Sequence, residues 1–156
     1  MTHDDLRHGT TSLFAALEVA SGKVHGRCCK RHTHLEFIAF LESLARRYPR
    51  RERHLICDNY GTHKHPTVKQ WLAAHPRFHM HFTPTSASWL KLVERWFARI
   101  SSQAIRRASF ASLRRLQQAI VRYLTHGNEN AQPFRWTKSA PDITRSLNRV
   151  TAIYDT

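Results

Sequence analysis

The sequence predicts an α/β protein in which a mixed sheet is flanked by helices. Strand-like and helical patterns follow one another in the order hairpin, helix, strand, helix, strand, helix, and then further helix. Strands that alternate with helices in this way are typical of a layered sheet. The length of 156 residues suits one domain. We expect residues 1–156 to form it, with about 1–107 as the α/β core and about 108–156 as a helical C-terminal extension.

A hairpin and a helix are predicted first. Thr10–Ala20 is rich in β-branched and apolar residues, Ser21-Gly22 supplies a turn, and Lys23–Cys29 alternates between polar and apolar positions. A helix is predicted to begin at Thr33, because Thr33 and Glu36 have the spacing of a capping box. Apolar residues then recur at helical spacing as far as Ala45, which predicts one buried face.

Two strands are predicted in the middle of the chain. Arg53–Asp58 contains the continuous apolar run Leu55-Ile56-Cys57, which is typical of a central strand covered on both faces. Pro66 is well placed in the first turn of a short helix after it. The segment from Phe78 to Phe82 alternates apolar residues with histidines, so we expect a strand with one buried face.

The last third of the chain is predicted to be mainly helical. Helices are expected at roughly Ser88–Arg106 and again from Leu113 to Leu124. Gly127–Pro133 is interpreted as a loop, and Pro141–Tyr154 as a last helix. Phe134 and Trp136 are expected to anchor the intervening segment on the core, and Met1–Gly9 is expected to be a loop or a frayed end.

The charge of the chain points to a polyanionic partner. Lysine and arginine number 25 against 11 acidic residues, which gives a formal net charge of +14 and a pI of about 10.9. Such a surplus favours nucleic acid over a merely solubilising surface, because basic side chains neutralise phosphates. The residues predicted to contact DNA are Lys64, Arg95, Arg99, Arg106, Arg107, Arg114 and Arg115.

Cysteine usage and hydropathy indicate the compartment. Cys28, Cys29 and Cys57 are odd in number and lack paired spacing, so reduced thiols are expected rather than a disulfide framework. The sequence contains no signal peptide and no apolar run near the length of a membrane span. We therefore expect a cytoplasmic protein that works at DNA without a membrane.

Two acids are the predicted metal ligands and catalytic residues. Asp58 closes the buried strand, where open α/β sheets place ligands, and Glu94 lies in the following helical run with 35 residues between them. Paired carboxylates can bind divalent ions for phosphoryl transfer. The alternatives are a helix-capping Asp and a solvated Glu. Asn59 and His63 follow the strand and are predicted supporting residues, with ordinary turn chemistry as the alternative.

Two long motifs resemble a known family. They are Asp58-Asn59-Tyr60-Gly61-Thr62-His63-Lys64 and the run from His81 to Leu90, followed by Val93-Glu94-Arg95-Trp96-Phe97. The sequence resembles the catalytic domain of DDE-type insertion-sequence transposases, in the bacterial branch related to mariner elements. The resemblance implies an RNase H-like, retroviral-integrase-like fold, two Mg²⁺ or Mn²⁺ ions, and DNA strand cleavage and joining during transposition. It makes Asp58 the second acid of a triad and Glu94 the third.

The same resemblance implies a third acid on a strand that precedes the hairpin and lies centrally in the sheet. Asp4 and Asp5 are the only acids before the hairpin, and their neighbours do not form an apolar strand. We therefore expect an N-terminally truncated domain that lacks this strand, is inactive alone and needs an upstream transposase segment. DNA, as transposon ends and target, is the expected partner, and a homodimer is left open. The alternatives are a non-catalytic DNA-binding remnant and another RNase H-like nuclease.

The twelve histidines raise the question of zinc. Pairs such as His79 and His81 share a face when they lie on a strand. No cysteine or carboxylate completes a recognised structural zinc spacing in the sequence. Histidines placed beside phosphate are therefore favoured over a structural zinc site.

Overall fold

The computed structural model describes residues 11–58, 61–83, 88–105, 111–133 and 150–155. Five strands and four α-helices are found in these ranges, together with a 3₁₀ helix and a π-helical turn. The elements in chain order are β1 (Ser12–Glu18), β2 (Val24–Cys29), α1 (His34–Arg47), β3 (Arg53–Asp58), the 3₁₀ helix (Gly61–Lys64), α2 (Pro66–Ala74), β4 (Phe78–Thr83), α3 (Ser88–Ile100), the π-helical turn (Ser101–Ile105), α4 (Leu113–Glu129) and β5 (Val150–Asp155).

The five strands form one mixed sheet in the order β2-β1-β5-β3-β4. The predicted hairpin is confirmed, with Ser12 paired to Cys29 and Leu17 paired to Val24. Strand β5 lies in the middle of the sheet, antiparallel to β1 and parallel to β3. The central position that the sequence analysis leaves open is therefore occupied by a strand from the end of the chain.

Helices cover both faces of the sheet, which explains why β1 is buried along almost its whole length. One face packs on α1 and α2, and the other on α3 and α4. Successive residues of β1 point to opposite faces of the sheet. Phe14 and Ala16 pack under α1 and α2, whereas Leu13, Ala15 and Leu17 pack under α3 and α4. The residues of the first face are Phe14, Ala16, Phe37, Phe40, Leu41, Leu44, Leu55, Cys57, Val68, Trp71 and Phe78.

Local signals set the helix ends near the site. The Thr33–Glu36 capping box is present as predicted, and it satisfies backbone donors that α1 would otherwise leave unpaired. At the other end of α1 the Arg77 side chain donates to the carbonyl oxygens of Tyr48 and Ala45. Pro66 occupies the start of α2, also as predicted.

Three expectations about the last third of the chain are corrected. The predicted helix over Pro141–Tyr154 is wrong for residues 150–154, which belong to β5. Helix α4 continues to Glu129, so the expected loop begins later than Gly127. The long helix from Ser88 is regular only to Ile100 and then widens into the π-helical turn. The Met1–Gly9 segment, Phe134 and Trp136 lie outside the described residues.

Candidate active site

Asp58 lies at the carboxyl end of β3, as the sequence predicts. Leu55 and Cys57 belong to the core under α1 and α2, so alternation along the strand places Ile56 and Asp58 on the opposite face. That is the face of the sheet on which α3 packs. The Asp58 side chain is 18% exposed, which leaves it accessible at the rim of the core.

His63 holds Asp58 from the 3₁₀ helix that follows the strand. Its side chain is fully buried, and its Nδ1 lies 3.0 Å from the Asp58 Oδ1 and 3.4 Å from the Asp58 carbonyl oxygen. The hydrogen bond runs from Nδ1 to the Asp58 carbonyl oxygen, and Nδ1 also lies within ion-pair distance of Oδ1. The ring packs against Phe37 of α1, with centroids 4.4 Å apart. The imidazole is therefore held between Phe37 and Asp58.

Glu94 lies on α3, which packs against β1, β3 and β5. Leu90 and Val93 are fully buried on the inner side of this helix. Glu94 is half-buried at the edge of that side, one turn after Leu90. The two predicted acids therefore come from elements packed on each other, with Asp58 on the sheet face that α3 covers.

The end of β5 lies at the same edge of the sheet as Asp58, because the two strands run parallel. Cys57 pairs with Ile153, so Tyr154 lies at the level of Asp58 and Asp155 one residue further along. The sequence analysis did not place Asp155 at this edge, because it predicted a helix as far as Tyr154 rather than a strand. Asn59, Asp4 and Asp5 lie outside the described residues.

The predicted basic residues fall into separate groups. Lys64 is exposed beside the site, with its Nζ 5.4 Å from the centre of the Phe82 ring. Arg95 and Arg99 are exposed on α3 and line a cavity of about 430 Å³ together with Trp96 and Tyr123. Arg114 and Arg115 are exposed in the first turns of α4. Arg106 and Arg107 lie outside the described residues.

A second group of metal-ligand side chains lies away from Asp58. Within the described ranges, Glu52, His54 and His79 are the one group of at least three such residues whose donor atoms all lie within 4.8 Å of one another. The sequence pattern identified His79 as half of a histidine pair but did not connect it to His54. Only the pairing register of β3 and β4 brings these histidines side by side.

Comparison with known proteins agrees with this architecture. A chain of the cryo-EM structure of a simian T-cell lymphotropic virus intasome, in complex with PP2A regulatory subunit B56 gamma, matches with a TM-score of 0.51 and 19% identity. The match covers 72% of the present chain but only 41% of that chain. It confirms the predicted fold, an RNase H-like mixed sheet similar to a retroviral integrase catalytic core.

Sequence comparison identifies the family. No curated protein matches the chain significantly. No helix in the described ranges is both long and apolar enough to span a membrane. The model of the family described as DDE superfamily endonuclease matches residues 3–117, well over half of the chain. That segment contains both Asp58 and Glu94, and the resemblance drawn from the two motifs is thereby confirmed: the protein belongs to the DDE superfamily endonucleases.

Proposed function

We propose that this domain takes part in transposition by metal-dependent DNA strand cleavage and strand transfer, with Asp58 and Glu94 as metal ligands and catalytic residues. The observation that carries the proposal is the Asp58–His63 pair at the end of β3, 3.0 Å apart and backed by the core. Helix α3, which carries Glu94, packs against the sheet that carries this pair. The chain also belongs to the DDE superfamily endonucleases.

The side chains at this edge of the sheet fit Mg²⁺ or Mn²⁺. The family resemblance implies two such ions. Mg²⁺ prefers carboxylate oxygen and retains several waters, so it needs acids that are fixed but still reachable. Asp58 meets both conditions, because it is 18% exposed and is held by His63. Glu94 is half-buried and offers a second carboxylate from α3. When bound, such ions activate the attacking oxygen and stabilise the leaving oxygen of a phosphodiester.

His63 has a positioning role in this proposal. Its ring lies against Phe37 on one side and places Nδ1 within 3.0 Å of the Asp58 Oδ1, so it restricts the orientation of the carboxylate. The exposed Lys64 is next to His63 in the chain and is placed to neutralise a phosphate near the same edge.

The arginines have a different role, which is to bind the DNA backbone. Arg95 and Arg99 lie on the same helix as Glu94, and Arg114 and Arg115 extend the positive surface onto α4. These contacts neutralise phosphates without reading bases, so affinity is expected to fall steeply as salt rises. A DNA duplex held in this way would pass the helix that carries Glu94.

The test combines Mn²⁺ binding, followed by electron paramagnetic resonance, with DNA binding and Mg²⁺-dependent DNA cleavage. Asp58→Asn and Glu94→Gln should each weaken Mn²⁺ binding at least about tenfold. Under conditions in which the parent protein cleaves DNA, each should also abolish cleavage. DNA affinity should stay equal or become tighter, because each change removes negative charge near phosphate. Glu42→Gln, at an exposed position on α1, is the matched control and should change neither.

The outcome also separates transposition from simple nuclease activity. Under conditions in which the parent protein cleaves DNA, the proposal expects a transposon end to be joined to a second DNA, whereas cutting without joining would support another RNase H-like nuclease. Near-normal Mn²⁺ binding in both acid variants would show that Asp58 and Glu94 are not the ligands. If the parent chain binds DNA but binds no Mn²⁺, the result would support a non-catalytic DNA-binding domain.

A further inference from the structure

A polar face on the outer part of the sheet is formed where β3 and β4 run side by side. The two strands are parallel, and their register pairs His54 with His79 and Ile56 with His81. Paired positions in neighbouring strands lie on the same face, so the three histidines project together. The alternate residues Phe78, Met80 and Phe82 pack on the core beneath α1 and α2.

The histidine rings are in direct contact. The His54 ring lies 4.8 Å from the His79 ring and 5.2 Å from the His81 ring, and the planes are nearly parallel in both pairs. The His54 Nδ1 and the His81 Nε2 are 2.9 Å apart. The cluster thus concentrates imidazole nitrogens at one small part of the surface.

Glu52 adds a carboxylate to this cluster. Its Oε1 lies 3.9 Å from the His79 Nε2. Between Glu52 and His54, Arg53 is buried in the opposite direction, with its guanidinium near the Glu18 carboxylate and over the Tyr48 ring. The Arg53 charge is therefore engaged elsewhere, and it does not neutralise Glu52.

We infer that Glu52, His54 and His79, with His81 as a fourth ligand, form a surface site for one transition-metal ion, with Zn²⁺ the best match. The site is separate from the Asp58 edge and does not depend on the proposed cleavage activity. Imidazole nitrogen suits Zn²⁺, Co²⁺, Ni²⁺ and Cu²⁺, whereas Mg²⁺ prefers oxygen. Three nitrogens and one carboxylate oxygen complete a tetrahedral zinc shell.

The distances are compatible with metal binding after small side-chain rotations. The donor atoms of Glu52, His54 and His79 already lie within 4.8 Å of one another. Tetrahedral zinc with bonds of about 2.0–2.1 Å places its ligand atoms roughly 3.4 Å apart. The Glu52 side chain is 61% exposed and that of His79 is 40% exposed, so both can move this far without disturbing the core.

Such an ion would join the edge strand β4 to the interior strand β3. Among the strands that the structure describes, β4 is at the end of the sheet and has a neighbour on one side only. A cross-link between the two strands would oppose fraying of that edge, and a ligand that binds only the folded state raises the melting temperature. Acidification should release the ion, because protons compete for the ring nitrogens.

The experiment uses the full chain without a polyhistidine tag. Zn²⁺ affinity is measured by competition with a chromophoric chelator in excess Mg²⁺, and the visible d–d bands of Co²⁺ report the geometry. We expect one equivalent of zinc, a tetrahedral cobalt spectrum and a raised melting temperature. His79→Gln and His54→Gln should each weaken zinc binding at least about tenfold.

His126→Gln is the matched control, because His126 is exposed on α4 and belongs to no such cluster among the described residues. It should leave zinc affinity unchanged. Circular dichroism of each variant shows that the fold is kept, and His81→Gln provides a further variant at an exposed position if His54→Gln unfolds. The inference is overturned if the parent chain binds no zinc, if both ligand variants bind it normally, or if His126→Gln weakens it equally.

Discussion

Proline at position 152 tests whether β5 is a true central strand. Ala152 pairs with Leu17 of β1 on one side and with Ile56 of β3 on the other. Ala152→Pro removes a backbone donor at a position flanked by two strands and introduces a ring that the ladder cannot accommodate. In a helix interior the lost donor and the ring clash cost about 3 kcal/mol or more, and the same scale is taken for this strand. A buried carbonyl left without its donor adds about 1–3 kcal/mol.

The expected loss of about 4–6 kcal/mol is a large part of the roughly 5–15 kcal/mol that stabilises a domain. At about 2–4 °C per kcal/mol for a chain of this size, the melting temperature should fall by roughly 10–20 °C. Ala152→Gly is the matched control, because it keeps the donor and should cost only about 0.5–1 kcal/mol. Thermal and urea unfolding by circular dichroism measure both variants. Equal stabilities for the two variants would show that β5 does not pair with β1 and β3.

Three further outcomes follow from particular residues. Gly22→Ala should cost more than about 2 kcal/mol in urea unfolding, because Gly22 has φ of 75° and an added Cβ would lie 2.0 Å from the Gln132 carbonyl oxygen. Gly127→Ala, in a helix with open space around it, should instead stabilise by up to about 1 kcal/mol. Burial, and after it the nearby Arg47, lower the pKa of His25. The unfolded chain therefore binds more protons, and the free energy of unfolding falls as the pH drops below 6.5. In urea unfolding, His25→Gln should lose less of this free energy between neutral and acidic pH, and an equal loss would contradict the role given to His25.

The sequence by itself determined the elements whose signals are local. The capping box at Thr33, the turn at Ser21-Gly22 and the alternation around Met80 each depend on residues a few positions apart. Asp58 could be assigned to a strand end for the same reason, because the apolar run of β3 stops there. The motifs around Asp58 and Glu94 were long enough to identify the family before any fold was known.

Tertiary structure decided the features that depend on distant pairing. The helical spacing of Ile143, Leu147 and Val150 favoured a helix, yet residues 150–155 form a strand because β1 and β3 offer them backbone partners on both sides. Partners more than ninety residues away leave no local trace in a pattern. The cluster around His54 arises in the same way, from strand register, which brings together side chains that the sequence keeps apart.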